Sequence, residues 1–396
     1  MLVPWTPVID MNGTGAGRDH AVTYTEGQAG VRIATADASI TDQDGNIREV
    51  VVTLANPLDG AAEHLFIAPA LVSQLNALGI TVAGNGTAAI TLGYNPAMRP
   101  GGLDATFFQV GLRGIQYVNT SEMPDTTQRV VHVASTDMAG NTGVDARTTI
   151  NVVAVNDAPA GADATLTVIE DGSYTLAAAD FGFTDIDGNA FAAVFIDELP
   201  ALGVLTLDGV AVTAGQRITV ADITAARLVY TPAAERSGDA LAGFAFRVQD
   251  DGGTAVGGVD TDATRNTITF DVTPVNDAPV LTPGAPSLET ITEDAVLNGG
   301  QTIASLLGEG GTGVADADTL NNGGAGNAPV EGTGRGVAIT GLHGTGGTWE
   351  YSVDGGESWM PVFMVAEGSA LLLRASDPIR FVPDEANGSS ARIGYV

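Results

Sequence analysis

Acidic side chains recur along this chain in a fixed order, and carboxylates so arranged could bind a hard cation. Each of three segments opens with a glutamate on a predicted first strand: Glu26 in YTEG, Glu170 in VIEDG and Glu293 in ITEDA. Downstream comes an Asp-x-Asp turn: Asp42 and Asp44, Asp185 and Asp187, Asp316 and Asp318. The first two segments add a late turn, with Asp137 in TDMAGN and Asp250 in VQDDGG, and each ends in a VNDAP linker carrying Asn156 and Asp157 or Asn276 and Asp277. Ca²⁺ takes six to eight oxygen ligands at roughly 2.3–2.6 Å in a flexible geometry, which oxygens on loop ends can supply. Mg²⁺ demands a stricter octahedron. Zinc is not indicated, because the chain has no cysteine and His20, His64, His132 and His343 stand singly. A lone Asp-x-Asp-Gly is an ordinary solvated turn. Three copies in register, each in phase with a glutamate, argue for a shared role.

The elements that must hold these groups read as strands. VNDAP occurs at residues 155–159 and 275–279, a spacing of 120 residues between Asn156 and Asn276, which suits one sandwich-sized repeat and not a solenoid rung. Residues 49–55, 129–134, 148–155, 203–207, 244–248 and 266–273 are short runs rich in β-branched and aromatic residues, bounded by Gly, Asp, Asn or Pro. An all-β fold of tandem sandwiches follows. Two stretches carry a helical period, residues 63–78 and 104–112, and are expected to cover an open sheet end. The repeats are placed at 7–155, 158–275 and 279–396. The third carries a hairpin-like run over 348–359 and a strand at 379–382, then stops at 393–396 as another strand begins. Two completions are expected for it: the natural chain continues past Val396, or a neighbouring subunit donates the missing strand to build a fibre. VPWTP (residues 3–7) stands where the first repeat's linker should be, with Pro4 and Trp5 in place of its Asn-Asp, so Asp42, Asp44 and Asp137 keep only a partial site.

Composition narrows the function classes. With 47 acidic against 16 basic residues the net charge is -31, yet 44% of residues are hydrophobic, enough for several packed cores. Such a charge argues against nucleic acid or an anionic membrane surface as a natural partner and favours cations. The basic residues are all arginine, which removes lysine-dependent Schiff-base and P-loop chemistry. Without cysteine there are no disulfides, and bound metal is the remaining way to staple an extracellular chain. No apolar run approaches a membrane span, and the N-terminus lacks a charged leader with an apolar core. Any export signal is expected elsewhere.

The runs LPALGVLTLDGVAVTAGQRITVADITAARLVYTP (199–232), FAFRVQDDGG and NTITFDVTPVNDAP resemble cadherin-like and related immunoglobulin-like repeats of large bacterial secreted adhesins, the repeat-in-toxin type among them. FFQVGLRGIQYVNTSEMPDTTQRVVHVASTDMAGN (107–141) resembles a second subtype, and GTWEYSVDGGESW with IRFVP (379–383) a third. The resemblance covers nearly the whole chain and implies Greek-key sandwiches in an extended array, with Ca²⁺ at each joint between consecutive repeats. The first-strand glutamate would come from the repeat before the joint, and the Asp-x-Asp and late turns from the repeat after it. The first joint would then use Glu26, Asn156, Asp157, Asp185, Asp187 and Asp250. The second would use Glu170, Asn276, Asp277, Asp316 and Asp318.

Acidic pairs also serve glycosidases, but here they recur once per repeat as structural parts do, and no GxSxG elbow or HExxH helix is present. No enzymatic activity is expected. A carbohydrate-binding module is the alternative, with Trp349 and Trp359 as a platform beside Tyr351. The expected function is that of an extracellular stalk or fibre segment at a bacterial surface, its joints stiffened by calcium. Its partners would be neighbouring repeats, further copies in a fibre, and a cell-surface or glycan target.

Overall fold

Period-two burial organises the first sandwich. Along Arg129–Asp137 every second residue is buried, from Arg129 through Val131, Val133 and Ser135 to Asp137, the pattern of a strand with one face on a core. Asn46–Leu54 pairs antiparallel with it, Val131 opposite Leu54 and Val133 opposite Val52. On its other side lies Ala146–Val153, to which His20–Thr25 adds in parallel. Ala89–Tyr94 and Ile80–Ala83 complete the sheet path, and a second sheet is formed by Val31–Arg32, Gln116–Asn119 and Glu63–Phe66. Val50, Val52, Leu65, Tyr117, Val131 and Val133 from both sheets share one core.

The computed structural model describes residues 5–43, 45–277, 280–281, 287–306, 314–315, 336–386 and 390–396. Contacts divide the chain into two compact units. The first is Met1–Gly161 together with Phe183–Ala193 and Arg247–Thr264. It thus joins the first expected repeat to the two acidic turns of the next. The second unit comprises Ala162–Gly182, Val194–Phe246 and Arg265–Val396.

Register decides where the first sandwich presents its polar groups. Thr25 pairs with Val153, Arg129 with Ile150, and Leu54 with Val131. Three strands therefore finish and one begins at the same end, and Glu63 and Asn119 face each other on the second sheet. The predicted helix over 104–112 is present as Ala105–Leu112, capped by Asp104 Oδ1, which accepts from Thr106 N at 2.9 Å. The helical reading of 63–78 holds only in part. Glu63–Phe66 is a strand and Pro69–Leu78 the helix. Proline disfavours the α conformation at Ala68, whose φ and ψ are -58° and 138°, and is itself suited to the first helical position.

In the second unit Ala164–Ile169 runs parallel to Asn266–Thr273, with Val168 opposite Val272. Tyr174–Thr175, Leu228–Thr231, Val204–Leu207 and Val210–Ala211 form a four-stranded sheet. Tyr230 stacks on Phe270 with ring centroids 3.8 Å apart. The same unit holds a third cluster of strands. Gly336–His343 lies between Leu371–Arg374 and Arg392–Tyr395, and Gly347–Tyr351 between Pro378–Pro383 and Met360–Pro361.

The tryptophan platform of the alternative reading is not formed. Trp349 is only 7% exposed and packs edge-on against Phe381, while the Arg380 guanidinium lies 4.0 Å from the centre of the Trp359 ring. Arg380 is fixed there by Glu350 at 2.6 Å. One ring is core and the other has a face taken by a cation, so the pair offers no shared flat surface. Among the described residues no helix is long and apolar enough to cross a membrane.

Candidate metal centre

Glu26 follows directly on His20–Thr25, and its backbone N donates to Val153 O at 2.9 Å, which continues the parallel pairing by one residue. This brings its carboxylate to the start of the linker. Oε2 accepts from Val155 N at 2.7 Å, while Oε1 is buried with no hydrogen-bond partner. Burial raises the Glu26 carboxyl above its ordinary range; the Val155 bond opposes this, and the charges of Asp187, Asp157 and Glu122 add to it.

The linker sets the rest. Asp157 N donates to Asp187 Oδ2 at 2.7 Å, so the Asp-x-Asp turn is tied to the linker backbone. Asp185 Oδ1 accepts from Asn189 N at 2.8 Å and closes its own turn, leaving Oδ2 buried without a partner. Asn156 Nδ2 donates to both oxygens of Asp250, at 3.2 and 3.3 Å, and to Val259 O at 2.7 Å. Asn189 Nδ2 donates to Asn156 Oδ1. Gly252 permits this packing, since a Cβ there would fall 1.6 Å from Asn156 Oδ1. Burial, then the Asp187, Glu122 and Asp185 charges, raise the Asp157 carboxyl. Asp250, only 3% exposed, is also raised, first by burial and with Asp185 and Asp260 adding to it, against bonds from Gly252 and Asn156.

All six residues expected at the first joint therefore come together within the first unit. Asn156 is placed differently from a simple ligand: its side-chain amide is consumed in clamping Asp250 and Val259. A residue not anticipated joins the group. Ligand oxygens of Glu26, Glu122 and Asp157 lie within 4.8 Å of one another. Glu122 sits in the loop after Gln116–Asn119, five residues beyond Tyr117, and Glu235 stands five residues beyond Tyr230. That offset is the signal by which both could have been found.

The second joint repeats the arrangement where it is described. Glu170, 2% exposed, has its N bonded to Thr273 O at 3.0 Å and accepts from Val275 N at 2.7 Å. Burial, then Asp277, Asp171 and Glu170, raise the Glu235 carboxyl. Asn276 Nδ2 donates to Asp277 O at 2.9 Å. Asp316 and Asp318 lie outside the described residues. So does Asp44 of the partial N-terminal site, where Asp137 is occupied by Asn141, which donates to Oδ1 and Oδ2 at 2.7 Å each.

The donor set at the first joint fits calcium. It consists of hard carboxylate oxygens, two of them buried and unpartnered, with neither thiolate nor imidazole among them. Without a cation the crowding has a pH signature. A carboxyl whose folded pKa is raised stabilises the fold below its unfolded pKa, and this contribution is lost as pH rises through the folded value. In EDTA the melting temperature should therefore fall as pH goes from 5 to 7.5. Glu26→Gln with Asp157→Asn should flatten that slope in thermal melts, and an unchanged slope would show that these groups are not under strain.

No family model matches the chain, and no curated protein matches it. Among solved structures it is similar to mouse cadherin-23 EC22-24, at 12% identity and TM-score 0.36, covering 95% of this chain and 89% of that one. It is similar to human protocadherin-24 EC1-2, at 13% identity and TM-score 0.32, covering 68% and 98%. Human mucin-like protocadherin EC1-2 gives 16% identity and TM-score 0.31 over the same shares. At these identities and TM-scores the likeness adds nothing to the β-sandwich reading, which stands on the strand pairing of the chain itself.

Proposed function

We propose that this chain is a segment of an extracellular structural or adhesive protein, a stalk or fibre of tandem sandwiches whose joints are stiffened by calcium. One observation carries the reading: Glu26 Oε1 and Asp185 Oδ2 are buried without partners, beside the point where Glu26, Glu122 and Asp157 converge. A buried carboxylate oxygen without a donor is costly unless a cation satisfies it. Glu26, Glu122, Asp157, Asp185, Asp187 and Asp250 would hold the ion. Bound calcium supplies the positive charge that lets these groups stay ionised at close range. Glu26 and Glu122 anchor the site to the first repeat, Asp157 to the linker, and the remaining three to turns of the next repeat. Without neutralisation the same groups repel, and the joint is free to bend.

Substituting Asp187→Asn tests the assignment with little change of shape. Loss of one charged ligand should weaken calcium at the first joint by at least tenfold, since ligand charge tunes such sites over orders of magnitude. The turn is local, so circular dichroism of the full chain should be unchanged. Calorimetric titration identical to the original chain would reject the assignment.

A further inference from the structure

Beneath the carboxylates lies a buried polar network that the joint itself does not require. Arg129, fully buried, donates from Nε to Glu63 Oε1 at 2.6 Å and from Nη2 to Asp59 Oδ2 at 2.8 Å. Tyr117 OH donates to the same Glu63 oxygen at 2.6 Å. Glu63 Oε2 accepts from Leu58 N and Asp59 N, at 2.7 and 3.1 Å. Each oxygen of this pair of acids is thereby engaged, with Asp59 Oδ1 taken by Asp125 N at 2.9 Å.

Asn119, only 5% exposed, connects that network to both glutamates of the candidate site. Its Nδ2 donates to Asp59 Oδ2 at 2.6 Å, and its Oδ1 accepts from Ser121 N at 3.0 Å, one residue before Glu122. Its backbone O accepts from Tyr24 OH, two residues before Glu26. The Glu122 loop is pinned again where Thr120 N donates to Ala62 O at 3.0 Å. The Tyr24 hydroxyl, raised chiefly by its burial, also feels the charges of both Glu26 and Glu122. The second repeat has Pro232 at the place of Asn119, two residues after its tyrosine, so this hub belongs to the first repeat.

We infer that Asn119 and Tyr24 are positioning residues for the calcium site, holding Glu26 and Glu122 at a fixed separation through one buried amide and one buried hydroxyl. The inference rests on the calcium reading. Tyr24 fixes the strand end that carries Glu26, and Asn119 fixes the loop that carries Glu122. Losing either bond leaves the carboxylates present but lets their spacing wander. Affinity then falls because ordering them must be achieved at binding, as it does when a partner behind a metal ligand is removed.

The test uses the full chain with Glu235→Gln and Asp277→Asn to silence the second joint, titrated calorimetrically with calcium alone. Tyr24→Phe removes only a hydroxyl and should weaken calcium roughly tenfold, the low end of what loss of such a partner costs, without altering stoichiometry. Asn119→Ala removes the side-chain bonds to Asp59 Oδ2 and Ser121 N while keeping the backbone carbonyl that Tyr24 meets. It frees the Glu122 loop, should weaken calcium to a similar degree, and decides the matter if Tyr24→Phe does not fold. Ile47→Val, a core truncation at the opposite end of the sheet, should lower the melting temperature in EDTA yet leave affinity unchanged. Affinity in Tyr24→Phe and Asn119→Ala equal to that of the parent would overturn the inference while leaving the calcium site standing, as would an Ile47→Val loss matching theirs. A parent chain that takes up no calcium would overturn the site, and the positioning role with it.

Discussion

If calcium holds the first joint as proposed, chelating it from the full chain should lower the melting temperature of the first unit by roughly 5–10 °C. A site held at a hundred-fold excess over its dissociation constant stabilises the folded state by about 2.7 kcal/mol, and each kcal/mol moves the midpoint of a unit this size by about 2–4 °C. Relief of the crowding among Glu26, Asp157 and Asp250, which are partly desolvated when no cation is bound, is part of that figure and not an addition to it. Differential scanning calorimetry in EDTA and in millimolar calcium measures it. Small-angle scattering on the same samples should show a larger radius of gyration in calcium, as a bending joint becomes stiff. Magnesium should do less, since it demands an octahedron that carboxylates on separate loops do not offer. Superimposable thermograms and scattering curves in the two buffers would remove calcium from the account altogether.

Much of this site was legible in the residues because its parts are local. Asp185, Asp187 and Asp250 lie on turns whose chemistry is written in a few neighbouring letters, and the strands that end beside them show their period directly. The pairing of Glu26 with Val155 could be anticipated only through the repetition of a glutamate and a linker. Glu122 escaped because its partner Glu235 comes into phase only when Tyr117 and Tyr230 are set in register, and neither lies in an acidic run. Asn156 meets Asp250 and Val259 through its side-chain amide, an engagement its place in the linker does not announce. Side-chain amides are both donors and acceptors, and which end meets Asp250 depends on Val259 and Asn189, residues distant in sequence. The network under the site had no sequence signal. An arginine opening a strand reads as solvated, and Arg129 is buried only because Asp59 and Glu63 arrive from another segment. Their arrival accompanies the loss of the beginning of the apparent helix, since Glu63–Phe66 is a strand paired with Gln116–Asn119.

Replacing Arg129 exposes how much of the first sandwich depends on that event. Its guanidinium is the positive charge between Glu63, whose side chain is fully buried, and Asp59, 8% exposed. Arg129→Met keeps the apolar stem and leaves two carboxylates in the interior without a counter-charge. Removing one partner of a buried ion pair costs about 3–5 kcal/mol, most of it the penalty for the charge left behind. Tyr117 and Asn119 still donate to these carboxylates, at 2.6 Å each, so the loss should sit within that range and not beyond it. Urea denaturation of the full chain monitored by circular dichroism would show the first transition shifted to lower denaturant. Two further measurements separate stranded charge from lost packing. Adding Glu63→Gln to Arg129→Met should restore part of the stability, because it removes the worse of the two orphaned charges. Lowering the pH toward 5 should shrink the deficit of the single variant, because an unpaired buried carboxyl has a raised pKa and its protonated form is favoured in the folded state. A loss below about 1 kcal/mol, or one that neither the second substitution nor acid relieves, would mean that the arginine acts by filling space, since charge removal is then not what the fold feels.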